Sequence, residues 1–407
     1  MDVRRALICL LLAGCAAAPG VSLEIAPAPA PLERRYAGFW EAALALDYER
    51  AGILASTPAE QTYARALREV ADGRLTHAQD SLSGLTTDAD ASPRARALLA
   101  ALAKESDTMP EKAFSSRVDR PFAEALQEAR KAERWRFPEG RASILFERGG
   151  SPTPVVPVVV NGRPARLGLD TGAGLTVIGS ELADAVGARR LGARTGARDA
   201  HGEGVQVELA VVDLDIGGIR VERHPVIVID SARLRFKVAG IEIAGYDGML
   251  GWNAIAPLRV TIDNDARSIA FERSLAPLPQ GNPELFWIGE PYVRARASNG
   301  FPLTLFLDTG ASRTALSASL ARAAGLGAGE KKSTLVMGAG SSRRVEVTVH
   351  RDAALHVGGA RLAFGELQSV EPRSTGYAVR DGVLGADAIA RGKVVIDPLA
   401  REFMVLP

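Results

Sequence analysis

The sequence predicts a mainly β fold in which two tandem, homologous β lobes follow a small α-helical region. Three observations carry this reading. At 407 residues the chain is long enough for two or three domains. From Tyr36 to about Trp135 apolar residues recur at helical spacing, and after Phe137 short β-branched runs alternate with Gly, Pro and Asp. Those β runs then occur twice, in the same order and with the same punctuation.

The first element is a targeting segment. Residues 1–14 hold Arg4 and Arg5, an apolar run from Ala6 to Ala13 and small residues ahead of Cys15, the layout of a secretory signal and too short to span a bilayer. Leu12-Ala13-Gly14-Cys15 resembles the bacterial lipobox. That resemblance implies lipidation of Cys15, cleavage just before it, and a chain anchored in the bacterial envelope facing the periplasm, on the inner or the outer membrane. An ordinary signal peptide with an incidental cysteine is the alternative. Residues 15–35 are Ala/Pro-rich, carry little to bury, and read as a semi-extended tether.

The second element, residues 36–136, reads as helical. Phe39, Ala43 and Leu46 share one face, as do Leu67, Val70, Ala71, Leu75, Ala78 and Leu82. Pro58, Pro93 and Pro121 stand where helices begin, and Gly73 interrupts the second run. The stretch from Leu67 to Leu85 resembles part of a tetratricopeptide repeat, although any helical hairpin wants small residues where its helices cross. Such a region offers a platform for a protein partner.

The third and fourth elements are the repeat, residues 137–275 and 276–407. Leu169-Asp170-Thr171-Gly172-Ala173-Gly174 returns as Leu307-Asp308-Thr309-Gly310-Ala311-Ser312. Asp247-Gly-Met-Leu-Gly251 returns as Asp381-Gly-Val-Leu-Gly385, and Val260-Thr-Ile262-Asp263 as Val394-Val-Ile396-Asp397. Two units are too few for a solenoid and suit a two-lobed enzyme or binding protein.

Composition removes several function classes. Lys+Arg 49 against Asp+Glu 48 leaves a net charge of +1, no field for a phosphate backbone, so nucleic acid is not an expected partner. Cys9 and Cys15 are the sole cysteines, which leaves no disulfide framework or thiolate metal site in the lobes, and the five histidines lack ligand spacing. No metal and no cofactor is expected. A lone aspartate at the end of an apolar strand is a poor acid or base at neutral pH. Two brought together share one proton, because like charges a few ångströms apart resist double ionisation. One carboxylate then takes a proton from water while the other donates to a carbonyl oxygen. The duplicated Asp170 and Asp308 are the candidate catalytic residues for that chemistry. Asp247 and Asp381 adjoin glycines and read as turn and capping carboxylates, and Asp263 and Asp397 as hairpin residues.

The two units resemble the retropepsins, the retroviral-type aspartic proteases, and their bacterial relatives. Leu169-Asp-Thr-Gly-Ala-Gly-Leu-Thr-Val-Ile178 is similar to the retroviral segment Leu-Asp-Thr-Gly-Ala-Asp-Asp-Thr-Val-Leu. The resemblance implies acid-protease β-barrel lobes forming a pseudo-dimer, with Asp170 and Asp308 as catalytic aspartates. It makes Thr171 and Thr309 the residues that lock the two loops, and Gly172 and Gly310 the completion of the turns. It also implies flap hairpins, whose candidate tips are His201 and Gly202 in the first lobe and Gly338 and Gly340 in the second. Unlike retroviral chains, this one holds both halves, so intramolecular pairing and a monomer are expected. Ala173 and Ala311 stand where pepsins place Ser or Thr. The function implied is an envelope-anchored aspartic endopeptidase acting on a peptide or protein substrate. The alternative is a non-catalytic module that grips a peptide or envelope component with protease-like lobes.

Overall fold

The computed structural model describes residues 20–103, 119–148, 151–198, 204–238, 241–274, 283–338 and 341–407. Cys15, His201, Gly202 and Gly340 lie outside the described residues. The chain opens with β1 (Val21–Glu24), followed by α1 (Phe39–Leu44), α2 (Tyr48–Leu54), α3 (Pro58–Ala71), α4 (Leu75–Gly84), α5 (Ser92–Leu102) and α6 (Asp119–Ala132). Local chemistry sets these bounds. Asp47 accepts a hydrogen bond from the Arg50 amide to open α2. Thr57 and Glu60 form a reciprocal capping box at α3, with Pro58 in its first turn. Gly73, at φ +76°, turns the chain away after it. Of the predicted stripe, Leu67, Val70, Ala71, Ala78 and Leu82 are buried and Leu75 is half-buried.

Lobe 1 contains β2 (Arg134–Arg136), β3 (Arg141–Leu145), β4 (Val155–Val160), β5 (Arg163–Leu169), β6 (Thr176–Gly179), α7 (Ser180–Ala185), β7 (Arg189–Arg198), β8 (Gly204–Ile216) and β9 (Ile219–Ile229). It continues through β10 (Arg235–Val238), β11 (Ile241–Gly245), β12 (Gly248–Leu250), α8 (Trp252–Ile255), β13 (Leu258–Asp263) and β14 (Ser268–Arg273). Lobe 2 holds β15 (Leu285–Trp287), β16 (Pro291–Ala297), β17 (Pro302–Leu307), β18 (Ala315–Ser317), β19 (Glu330–Gly338) and β20 (Ser341–Val357). Its last strands are β21 (Ala360–Val370), β22 (Gly382–Leu384), β23 (Lys393–Asp397) and β24 (Glu402–Leu406). In lobe 1 the pairing of β8 with β9 closes β9-β6-β12-β5-β4-β8 into a barrel, and in lobe 2 the pairing of β20 with β21 closes β21-β18-β22-β17-β16-β20 likewise. Closure removes the free edges that an open sheet would expose.

A third sheet, ordered β24-β23-β13-β14-β3, joins the lobes. Where β13 meets β23, Val260 pairs with Ile396, Thr261 with Val395 and Ile262 with Val394. Thr261 faces its own repeat counterpart, while Val260 and Ile262 face each other's counterparts, so the internal repeat seen in sequence becomes a two-fold axis through Thr261 and Val395.

Two organisational expectations need correction. Residues 20–35 do not hang free as a tether. β1 pairs antiparallel with β21, from Val21↔Phe364 to Glu24↔Arg361, the Leu32 amide donates to the Gly300 carbonyl, and Arg34 reaches Asp381. The backbone of an extended segment can satisfy itself on a sheet edge even where its side chains bury little. The helical region is also divided between the lobes. Phe39, Tyr63, Leu67 and Leu99 cluster with Phe286, Tyr292, Phe306 and Tyr377 of lobe 2. Phe122 and Leu126 of α6 pack instead with Val205, Val207 and Leu209 of lobe 1, and β2 extends the lobe 1 sheet.

Candidate active site

Each Asp-Thr-Gly turn leaves the end of a buried strand. Leu167 and Leu169 of β5, and Leu303, Leu305 and Leu307 of β17, are buried in the lobe cores. β12 runs parallel beside β5, with Leu250 opposite Leu169, and the Leu250 carbonyl accepts the Asp170 amide at 3.0 Å. In lobe 2, β22 runs beside β17 and the Leu384 carbonyl accepts the Asp308 amide at 3.0 Å. The glycines of these threading segments are sterically required. A Cβ on Gly251 would stand 2.4 Å from the Leu175 backbone, and one on Gly385 would stand 2.6 Å from that of Arg313.

The two loops lock reciprocally. The Thr171 hydroxyl donates to the Leu307 carbonyl at 2.7 Å and accepts the Thr309 amide at 3.0 Å. Thr309 mirrors this, donating to Leu169 at 2.6 Å and accepting the Thr171 amide at 3.0 Å. Both threonines are buried, so these bonds are shielded from competing water. Within each turn the carboxylate accepts two amides: Gly172 and Ala173 for Asp170, at 3.0 and 3.1 Å, and Gly310 and Ala311 for Asp308, both at 3.0 Å.

The carboxylates face each other across the lobe junction. A Cβ on Gly172 would lie 2.5 Å from Asp308 Oδ1, and a Cβ on Gly310 would lie 2.5 Å from Asp170 Oδ1. Each carboxylate therefore rests over the glycine of the opposing turn. Burial, and next the charge of Asp308, push Asp170 up to about 7. Asp308 is raised too, chiefly by burial, against the pull of the Ala311 amide and the Arg380 guanidinium. The pair can thus hold one proton near neutrality.

Behind each loop a threonine and a carbonyl-type acceptor hold the threading segment. In lobe 2, Asp387 Oδ1 accepts the Thr314 amide and hydroxyl at 2.8 and 2.6 Å, and the Gly385 amide donates to that hydroxyl. In lobe 1, Asn253 Oδ1 accepts the Thr176 amide and hydroxyl at 2.7 and 3.1 Å. There the buried His224 adds a further partner, its Nε2 2.9 Å from the Thr176 hydroxyl and its Nδ1 2.6 Å from Glu133, just beyond α6. Sequence reasoning passed over Asn253 and Asp387, although each stands two residues after the repeated Leu-Gly. Thr153, whose hydroxyl donates to the Thr309 carbonyl at 3.0 Å, carried no signal in the sequence.

The remaining expected residues fall as follows. Gly338 ends β19 opposite Ser341, at the tip of the β19–β20 hairpin, while β7 and β8 form the corresponding hairpin in lobe 1. Asp247 accepts the Arg166 amide at 2.8 Å, and Asp381 accepts the Thr304 amide at 2.9 Å. Asp381 does more than cap a turn: it is buried and takes a two-pronged ion pair from Arg34, at 2.5 and 2.9 Å.

Comparison with known protein families agrees with this geometry. Residues 156–254 match a family described as aspartyl protease, and residues 296–391 match one described as gag-polyprotein putative aspartyl protease. No curated protein matches the chain.

Proposed function

We propose that this chain, whose two lobes are tandem retropepsin-like aspartyl protease domains, is an endopeptidase with a single active site at the Asp170/Asp308 pair. With one proton on the pair, the ionised carboxylate takes a proton from a water molecule as its oxygen attacks the peptide carbonyl carbon. The protonated carboxyl meanwhile donates to the carbonyl oxygen. Collapse of the tetrahedral species breaks the C–N bond, and the proton gained from water passes to the departing amine. The observation that supports this most is the mutual seating of each carboxylate over the other turn's glycine, together with the upward displacement of Asp170. A pure binder has no use for two like charges pressed together.

Envelope anchoring through Cys15 is part of the same proposal and rests on Leu12-Ala13-Gly14-Cys15. Several acyl chains on one cysteine give firm membrane retention, where one gives marginal binding. Fractionation tests it: wild type pelleting with membranes and released by detergent, against unprocessed Cys15→Ser, is expected. Wild-type chain free in the periplasm with an N-terminus beyond Cys15 contradicts it. For the chemistry, the full chain is incubated with a peptide library between pH 5 and 8 beside Asp308→Asn. Internal cuts in the wild-type sample alone support the reading, and no cuts by well-folded wild type refute it.

A further inference from the structure

Side chains alternate along β17: Leu305 and Leu307 point into the lobe core, while Phe306 points the other way. Asp308, two residues on, continues the Phe306 face, so what covers Phe306 stands beside the catalytic carboxylate. That cover is Arg380, whose guanidinium carbon lies 3.9 Å from the Phe306 ring centroid. Two of its nitrogens engage the two carboxylate oxygens of Glu290, and the Tyr292 hydroxyl donates to Glu290 Oε2 at 3.0 Å. Glu290 and Tyr292 cannot absorb all the donors of a guanidinium. Arg380 and Glu290 keep 14% and 22% of their side-chain surface exposed, so the pair is not sealed from solvent.

The helical layer holds this pair in place. The Val379 amide donates to the Leu44 carbonyl at 2.7 Å. Gly289, at φ +70°, sits where a Cβ would lie 2.2 Å from the Tyr377 hydroxyl and 3.0 Å from Ala101. Both neighbours of the ion pair are thus clamped by residues 39–103. The corresponding positions of lobe 1 hold no such ion pair. Strand register makes Gly168 the counterpart of Phe306 and Thr153 that of Glu290, and the repeat makes Tyr246 that of Arg380. The counterpart positions in lobe 1 therefore carry no charge, whereas those in lobe 2 hold a cation whose face and one edge are already satisfied.

We propose that Arg380, held by Glu290 and the helical layer, is a specificity-determining residue that selects a substrate side chain ending in an oxygen acceptor, a carboxylate or a carboxamide, at one fixed position beside the cleaved bond on the lobe 2 side. This rests on the proteolytic reading of the same cleft. An acceptor pairs with the spare guanidinium donors, whereas a Lys or Arg side chain meets a cation and leaves those donors unpaired. Preference for Glu over Lys at that position is roughly tenfold on this account.

Cleavage-site profiling of the full chain on a mixed peptide library tests it. Wild type should enrich Asp, Glu, Asn and Gln at one position within two residues of the cut. The double variant Glu290→Gln/Arg380→Gln should lose the Glu-over-Lys discrimination. The swapped pair Glu290→Arg/Arg380→Glu, which retains opposite charges, should turn the preference towards Lys and Arg. A wild-type profile without acceptor enrichment overturns the inference by itself, as does a folded swapped variant with the wild-type profile. If wild type cuts nothing, the proteolytic reading fails, and capture of the same library on immobilised chain decides the subsite separately. Captured peptides enriched in acceptor side chains for wild type but not for the double variant sustain it, and capture without that difference overturns it.

Discussion

Lobe 1 and lobe 2 place the same atoms at the lobe junction and surround them differently. The Asp-Thr-Gly turns, the crossed threonine bonds and the paired amides on each carboxylate repeat almost to the tenth of an ångström. Around them, lobe 1 backs its loop with Asn253, His224 and Glu133, whereas lobe 2, among the described residues, uses Asp387. Lobe 1 leaves Asp247 exposed, whereas lobe 2 buries Asp381 under Arg34 from the N-terminal segment. What must act as one pair is symmetric, because each half is built onto the other. What orients, supports or selects has diverged, since only one lobe receives the N-terminal strand and most of the helices.

The largest expected effect breaks the comparison at Arg34. Arg34→Met strands the buried Asp381 charge and should cost about 3–4 kcal/mol at neutral pH, read by denaturant unfolding. The loss should shrink as pH falls, because a protonated Asp381 no longer needs its partner. Asp247→Asn, at the matching place in lobe 1, should cost under about 1 kcal/mol. Equal costs would show that the N-terminal segment is not part of lobe 2.

The next effect should be the same in both lobes. Gly172→Ala and Gly310→Ala each push a methyl into the opposing carboxylate, and each should lower kcat/KM by about 100-fold or more with the fold retained. A large loss for one and none for the other would break the symmetric pair. A smaller effect concerns stability. The folded chain holds Asp170 protonated up to about 7, while the unfolded chain releases that proton near pH 4. Wild-type stability from this group is therefore present below about pH 4 and lost as pH rises towards 7. Asp170→Asn should gain on wild type across that window, reaching about 1–2 kcal/mol at pH 7. Asp308→Asn should gain less, because Arg380 attracts the ionised form on that side alone.

The smallest effect is on working pH. With Ala173 and Ala311 after the turns, the carboxylates accept backbone amides and no hydroxyl among the described residues, and Ser312 points to solvent. Activity should therefore extend from mildly acidic conditions to about neutrality and fall above it. Ala173→Ser with Ala311→Ser should move that profile towards acid by up to about one pH unit, seen in kcat/KM against pH.

The aspartate pair and both threading segments were legible because duplication writes the same short pattern twice. Helix starts at Pro58 and Pro93 were legible because capping is local. The strand at Val21–Glu24 was not, since its partner lies in β21, far along the chain, and alternation over four residues says nothing without that edge. Thr153, Glu290 and Arg380 were invisible for the opposite reason to the aspartates: they differ between the repeats, Arg34 stands outside them, and each takes its role from a contact across the fold.

The most direct test of a single site built from both lobes is kinetic. Asp170→Asn, Asp308→Asn and an equimolar mixture of the two are assayed beside wild type at equal folded concentration. If the pair lies within one chain, each variant and the mixture should fall at least about 1,000-fold below wild type, since neither chain retains both the acid and the base. Activity surviving in both single variants, or returning on mixing, would place the working pair between two chains and contradict the account.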